Sequence, residues 1–137
     1  MTQLNFAMDI AASGMRSQGM RMRIISENIA NATTTSEVSG GDPYRRQMVS
    51  FKNVMDRAEG YSKVHIDEVM KDDSEFVMKL DPSHPAADEN GYVKMPNVNP
   101  LIEMMDMREA QRTYEANLGI IDMSRNMLMR TIDLLRA

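Results

Sequence analysis

Apolar residues recur at alternating intervals of four and three positions through the first 32 residues of the chain. The repeated positions are Leu4, Met8, Ala11, Met15, Gln18, Met22, Ile25, Ile29 and Ala32, of which only Gln18 is polar. An average spacing of about 3.5 residues places one apolar stripe along one face of a helix. Residues 1–32 are therefore predicted to form a long amphipathic helix.

The C-terminal segment, residues 99–137, carries the same repeat. Its positions are Met104, Met107, Gln111, Tyr114, Leu118, Ile121, Arg125, Leu128, Ile132 and Leu135. Asn99 followed by Pro100 is typical of a helix start, because an Asn side chain caps free backbone N–H groups and proline fits the first turn. The two terminal helices are predicted to pair as a coiled coil, with one apolar stripe from each.

The middle of the chain has a different pattern. Residues 33–43 are small, β-branched and glycine-rich, which predicts a mobile linker. Runs of β-branched and aromatic residues predict strands at Tyr44–Phe51, Tyr61–Met70, Glu75–Leu80 and Tyr92–Lys94, with one or two helical turns at Lys52–Glu59. The predicted fold is mainly α, with a helical domain of residues 1–32 and 99–137 around a small β-rich insert of residues 44–98.

The composition limits the kinds of catalysis and ligand binding that the chain can support. Its length of 137 residues suits one domain. It has no Cys, which excludes disulfides, thiol catalysis and Cys-ligated metals, and it has only two His. Its sequence shows no nucleophile elbow, phosphate loop or metal-ligand spacing. Residues 33–98 carry a net charge of −4, and no basic stripe is present to bind nucleic acid. We therefore predict no enzyme activity, cofactor, metal site or nucleic-acid partner.

The terminal helices carry more apolar residues than one helix pair can bury. Those off the two stripes are Ile10, Met20, Ile24, Met105, Ile120, Met123, Met127, Met129 and Leu134. Helices that are apolar on several faces are typical of helices surrounded by others, and the 16 methionines have flexible side chains that fit unequal contacts. The pair either forms a simple hairpin or also packs against neighbouring subunits. Gly14 either lets another backbone come close or marks a kink.

Neither a secretory signal nor a membrane span is expected. No Lys or Arg precedes Arg16, and Asp9 interrupts the apolar residues near the N-terminus. No apolar run approaches the roughly 18–20 residues that a spanning helix requires. The chain is therefore expected to stay outside the general secretory route and outside the membrane.

Specific motifs resemble those of a known family. Residues 12–15 (ASGM) and 26–33 (SENIANAT) resemble the N-terminal signature of the bacterial flagellar axial proteins, which are the rod, hook and hook-associated proteins. Residues 112–117 (RTYEAN) resemble the C-terminal counterpart of that signature. Residues 40–46 (GGDPYRR), in which Asp42 departs from the family pattern, and residues 81–99 resemble the proximal rod members of the family.

This resemblance implies a structural subunit of the proximal rod in the flagellar basal body, which transmits torque and encloses the export channel. It implies export by the flagellar type III apparatus without a cleaved signal, and a location in the periplasmic space. The implied partners are copies of the chain, other proximal rod proteins, the adaptor at the export gate and the export apparatus. From the residues alone, a non-polymerising coiled-coil adaptor or export chaperone is the alternative.

Assembly is expected to use the helical stripes and the polar residues of the motifs. Asn28, Asn31 and Asn117 either cap helix ends or bond between subunits, or else they face solvent. The expected subunit-interface residues are Leu4, Met8, Ala11, Met15, Met22, Ile25, Asn28, Ile29, Asn31, Met104, Met107, Arg112, Tyr114, Asn117, Leu118, Ile121, Leu128, Ile132 and Leu135, and the expected insert contacts are Tyr44, Arg45 and Arg46.

Overall fold

A computed structural model, which describes residues 2–57 and 60–136, has one long helix near each end of the chain and four strands between them in sequence. In chain order the elements are α1 (Thr2–Ala30), β1 (Gln47–Asp56), β2 (Tyr61–Lys71), β3 (Val77–Leu80), β4 (Tyr92–Met95) and α2 (Pro100–Arg136). Strand β1 pairs with β2, and β3 pairs with β4, in two separate two-stranded sheets. The fold therefore combines two helices with two small antiparallel sheets.

The start of α2 confirms the predicted helix signal. The backbone N–H of Leu101 donates to Asn99 Oδ1 at 3.1 Å, and the N–H of Glu103 donates to the Asn99 carbonyl at 3.0 Å. The Asn99 side chain thus satisfies a backbone donor that the first turn leaves without a helical partner. Pro100 follows as the first helical residue.

The predicted helical turns at Lys52–Glu59 are wrong over the described residues, because β1 continues to Asp56. Pairing with β2 gives these residues hydrogen bonds that a one-turn helix could not match. Strand β1 also starts later than Tyr44, where the prediction began it. The Tyr44 N–H instead donates to the Thr34 carbonyl, and the Arg46 N–H donates to Asn97 Oδ1.

The segment of residues 33–43, predicted as a mobile linker, makes hydrogen bonds to the rest of the chain. The Gly40 N–H donates to the Ala86 carbonyl at 3.2 Å, and Lys94 Nζ lies 2.9 Å from Asp42 Oδ1. Together with the Tyr44–Thr34 bond, these contacts fix both ends of the segment. The departure at Asp42 thus forms an ion pair with β4.

Strands β3 and β4 form an antiparallel hairpin in which Val77 pairs with Met95 and Leu80 pairs with Tyr92. The predicted Asn90–Gly91 turn precedes β4. Gly91 has a φ of +82°, a left-handed conformation that glycine adopts without strain, and Asp88 Oδ1 accepts from the N–H groups of Asn90 and Tyr92.

The chain divides into two compact units, each with a small core. The first contains residues 1–22, 50–68 and 108–137, and the second contains residues 23–49 and 69–107. Buried residues of the first unit are Ala11, Ser13, Ser17, Ala110 and Ser124, and those of the second include Ile24, Ile25, Asn28, Ala86, Val93 and Glu103. Small residues make up the first set, whereas the second combines branched aliphatic residues with the polar Asn28 and Glu103. The domain boundaries predicted at residues 32, 43 and 98 stay predictions.

Candidate assembly surface

Asn28 lies at the centre of a buried polar network in the second unit. Its side chain is 1% exposed. Oδ1 accepts hydrogen bonds from the Tyr44 hydroxyl and the Gln47 N–H, both at 2.9 Å, while Nδ2 donates to the Gln47 carbonyl at 2.8 Å and to Glu103 Oε2 at 3.1 Å. All four hydrogen-bonding positions of the amide are filled within the chain. Asn28 therefore fixes the end of α1 to the start of β1 and the start of α2.

Arg46 supplies the positive charge of this network. Its Nε donates to Glu103 Oε1 at 2.6 Å, its Nη1 donates to Asp72 Oδ2 at 3.3 Å, and its Nη2 lies 3.8 Å from Asp106 Oδ2. Burial acts to lower the pKa of Arg46, but the bonds to Glu103 and Asp72 outweigh it and raise that pKa. A buried carboxylate such as Glu103 is tolerated when a charged partner and further hydrogen bonds compensate for its lost hydration.

Arg45 and Asn97 extend the network to the segment between β2 and β3. Arg45 Nη1 donates to the Asp72 carbonyl at 3.0 Å, and its guanidinium lies 4.3 Å from the centre of the Phe76 ring. Asn97 Nδ2 donates to the same carbonyl at 3.0 Å and to Ser74 Oγ at 2.9 Å. Of the three expected insert contacts, Tyr44 thus joins the insert to α1 and Arg46 joins it to α2 inside the second unit, whereas Arg45 bonds within the insert.

Asp72 makes this network sensitive to acid. Its pKa lies below the ordinary value of 3.8, chiefly because the Ser74 N–H donates to its carboxylate at 2.9 Å, with further help from the Ser74 hydroxyl and Arg46. A carboxylate with a lowered folded-state pKa stabilises the fold above the unfolded-state pKa, and this contribution disappears as pH falls through the folded-state value.

We therefore expect the stability difference between the chain and an Asp72→Asn variant to be full at neutral pH and to shrink below pH 3.8. Urea unfolding followed by circular dichroism across this range measures it. A matched Asp73→Asn variant controls for the loss of one charge from the same turn. A difference that stayed constant into strong acid would contradict the role given to the Asp72 carboxylate.

In the first unit α1 and α2 approach closely at Gly14. A Cβ atom built at Gly14 would lie 2.8 Å from Asn117 Nδ2, a separation that no ordinary contact allows. Arg21 Nη2 and Glu109 Oε2 form an exposed ion pair at 3.5 Å further along the same helices. Helix α1 is continuous through residue 14, and the nearby Asn117 side chain gives this glycine a packing role.

Two buried serines of α1 bond to the backbone of β2. Ser13 Oγ accepts from the Val64 N–H at 3.3 Å, and Ser17 Oγ lies 3.2 Å from the Val64 carbonyl oxygen. Their spacing of four residues puts both hydroxyls on one helix face. Strand backbone groups that face away from a sheet partner need other partners, and these hydroxyls supply them at Val64.

Many large apolar side chains of α2 are exposed to solvent. On the described part of α1, Ile10 is the only large apolar residue that is exposed. Exposed fractions reach 65% at Met105, 61% at Met123 and 79% at Leu134. We call these exposed residues the outer face of α2, although they lie on more than one side of the helix: Leu101, Ile102, Met104 and Met105 in the second unit, and Leu118, Ile120, Met123, Met127, Met129, Leu134 and Leu135 in the first. An exposed apolar surface of this extent is typical of a protein–protein interface.

The expected interface residues differ in their surroundings. On α1, Ala11, Ile25 and Asn28 are buried, and Leu4, Met8, Met15, Met22, Ile29 and Asn31 are partly buried. On α2, Met107, Tyr114, Asn117, Ile121, Leu128 and Ile132 are partly buried, whereas Met104, Arg112, Leu118 and Leu135 are exposed. The side chain of Asn28 bonds to Glu103, and that of Asn117 lies beside Gly14, both within the same chain. Contact of any of these residues with another subunit stays a prediction.

The pattern analysis missed the residues of α2 that are most deeply buried. These residues are Glu103, Ala110 and Ser124. Together with Asn117 they recur every seven residues. Each lies one position before a residue of the predicted apolar stripe, namely Met104, Gln111, Leu118 and Arg125. Two polar residues, Gln111 and Arg125, at supposedly apolar positions were the signal that the inward face lies one residue earlier. Nothing in the sequence alone indicated Asp72 or Asn97 as partners of Arg46.

Across residues 2–57 and 60–136, no group of three or more His, Cys, Asp or Glu side chains is arranged to hold a metal ion. The helices described have no stretch both long and apolar enough to span a bilayer.

Comparison with known proteins identifies the class. A family model described as "Flagellar basal body rod FlgEFG protein C-terminal" matches residues 89–134. The chain is 51% identical over 137 residues to the flagellar basal-body rod protein FlgC of Agrobacterium fabrum, covering 100% of this chain and 99% of that protein. It is 34% identical to the FlgC protein of Bacillus subtilis, covering 93% and 95%, and 35% identical to that of Salmonella typhimurium, covering 92% and 93%.

These matches define a structural class, the rod proteins of the flagellar basal body. Within that class, the chain belongs to the FlgC family. The resemblance seen in the sequence motifs is confirmed, and the chain is a structural subunit of the basal-body rod.

Proposed function

We propose that this chain builds the proximal part of the rod by packing its terminal helices against copies of itself and against other proximal rod proteins. The outer face of α2 carries this proposal, because it leaves eleven large apolar side chains exposed. Burying one such side chain stabilises a complex by about 1.5–3 kcal/mol. Several together offset the ordering and translational cost of association, which is about 4–15 kcal/mol.

The two helices also pair with each other in this proposal, as a coiled coil around the insert. The Gly14–Asn117 approach and the Arg21–Glu109 ion pair support pairing in the first unit. In the second unit, the Asn28–Glu103 hydrogen bond supports it by joining α1 to α2 directly. Partly buried members of the stripes then hold the pair together, while exposed members such as Met104 and Leu118 contact neighbours.

Torque passes through the rod by many simultaneous side-chain contacts and needs no catalytic group. The network of Asn28, Arg46 and Glu103 suits this mechanical role, because charged hydrogen bonds hold the insert to both helix ends. The further partners in the proposal are the adaptor at the export gate and the type III export apparatus, which delivers the chain to the periplasmic space without a cleaved signal. The assembled helices enclose the export channel.

The test uses an Agrobacterium fabrum strain that lacks its own FlgC protein and expresses this chain instead. Met105→Glu and Ile120→Glu place charges on the outer face of α2, and we expect each to abolish rods in purified basal bodies imaged by electron microscopy. Val38→Glu is the matched control, since Val38 is an apolar residue that is 69% exposed and lies outside α2.

Normal rods with both charged variants would contradict the proposal. Complete rods in cells without the chain, combined with loss of another protein's export, would instead indicate an adaptor or chaperone. Chain levels measured by immunoblotting exclude simple degradation.

A further inference from the structure

Methionine is the most easily oxidised side chain in this protein, because the chain has 16 Met and no Cys. Susceptibility of a thioether to oxidation follows its exposure. The four described methionines of α1, which are Met8, Met15, Met20 and Met22, are all partly buried. On α2, by contrast, five methionines are exposed by half or more, namely Met104, Met105, Met123 (61%), Met127 (50%) and Met129.

Met123 and Met127 share a groove that contains hydrogen-bond donors. The groove has a volume of about 330 Å³ and is lined by Met123, Asn126, Met127 and Arg130. Their spacing of three and four residues puts all four on one face of α2. A sulfoxide oxygen formed on either sulfur would find the Asn126 amide and the Arg130 guanidinium on that face, and both groups donate hydrogen bonds.

We propose that Met123 and Met127 form a reversible oxidation site, at which sulfoxide formation by hydrogen peroxide blocks incorporation of the subunit into the rod. The sulfur attacks one peroxide oxygen, the O–O bond breaks, an S–O bond forms, and water leaves after proton transfer. Sulfur loses two electrons and the peroxide gains them. The consequence for assembly rests on the proposed function, in which the outer face of α2 is buried against a neighbour.

The oxidised side chain is polar, whereas the neighbouring subunit would present an apolar surface to it. Burial of the sulfoxide removes its hydration, and an apolar neighbour offers no hydrogen bond in exchange, so assembly costs free energy even where Asn126 or Arg130 donates to the oxygen. Methionine sulfoxide reductases restore the thioether, so the block is reversible. Assembled subunits are protected because contact with a neighbour covers both sulfurs.

The first measurement treats the purified full-length chain with hydrogen peroxide and follows each methionine by peptide mass spectrometry. We expect sulfoxide to appear at Met123 and Met127 several-fold faster than at Met8 and Met15, and to disappear after treatment with both methionine sulfoxide reductases. Equal rates on the two helices would overturn the oxidation site.

The second measurement tests the consequence in the strain without FlgC. Met123→Gln/Met127→Gln imitates the polar sulfoxide with a good helix former, and we expect at least a tenfold loss of swimming cells. Met55→Gln is the matched control, because Met55 is 63% exposed on β1, outside the outer face of α2. Swimming by the double variant as strong as by the control would overturn the switch.

Failure of the proposed function has a different signature. In that case the unsubstituted chain itself would not restore swimming. The part of the proposal in which oxidation blocks assembly would then fail as well. The mass-spectrometric rates would still decide the oxidation site independently.

Discussion

Replacing Glu103 by alanine is expected to lower the free energy of unfolding by about 3–5 kcal/mol, the usual cost of removing one partner of a buried ion pair. Glu103 is 1% exposed and bonds to Arg46 at 2.6 Å and to Asn28 at 3.1 Å. Its loss leaves the buried Asn28 amide and the partly buried Arg46 guanidinium without this acceptor. Urea unfolding of the purified chain, followed by circular dichroism, measures the change.

Two further variants make this prediction specific. Glu103→Gln keeps the side-chain volume and the bond from Asn28 but removes the charge, so we expect a smaller loss of about 1–3 kcal/mol. Glu109→Ala removes the exposed partner of Arg21 and should cost less than about 1 kcal/mol. Equal losses for Glu103→Ala and Glu109→Ala would show that the buried network does not stabilise the chain.

Replacing Gly14 by leucine is expected to destabilise the chain by about 1–3 kcal/mol, the usual cost of overpacking. A Cβ atom there would already lie 2.8 Å from Asn117 Nδ2, so the Asn117 side chain must move, and leucine adds three further carbon atoms at this contact. The substitution should also prevent swimming in the strain without FlgC. Unfolding by urea and swimming on soft agar are the two measurements.

The matched control is Gly19→Leu on the same helix, because nothing lies within 4 Å of a Cβ built at Gly19. Leucine there should stabilise the purified chain by up to about 1 kcal/mol, since glycine is a poor residue inside a helix. Gly14→Ala combined with Asn117→Ser should recover most of the stability that Gly14→Ala loses alone. If Gly14→Leu and Gly19→Leu had the same effect, the close helix approach would not matter for stability.

The two predictions share a physical origin that sequence periodicity does not contain. A repeat of 3.5 residues indicates that a segment is helical and amphipathic, and it correctly placed both long helices. It ranks positions by hydrophobicity, however, and so it assigned Met104 and Leu118 to the inner face of α2. In the folded chain Glu103, Ala110 and Ser124 are the buried positions. Small side chains permit close approach, and the charge of Arg46 compensates for the buried Glu103.

The same limit applies to the insert. Local signals correctly indicated the turn at Gly91 and the start of α2, because Asn, Pro and Gly act on their own backbone neighbourhood. They failed at Lys52–Asp56, where pairing with β2 extends the strand beyond its local preference. They also gave no account of Arg46, whose partners Asp72 and Glu103 lie 26 and 57 residues further along the chain.

The sequence by itself determined the class of protein, the two terminal helices and the assembly role, because motifs and hydrophobic periodicity are local properties of the chain. The tertiary structure decided which side of α2 faces inward, and why Asn28, Arg46 and Gly14 occupy their positions. Those decisions depend on charge compensation and close packing between segments far apart in the chain. The exposed methionines of α2 follow from the same packing, since an inner face of small and polar residues leaves the larger apolar side chains on the outer face of α2.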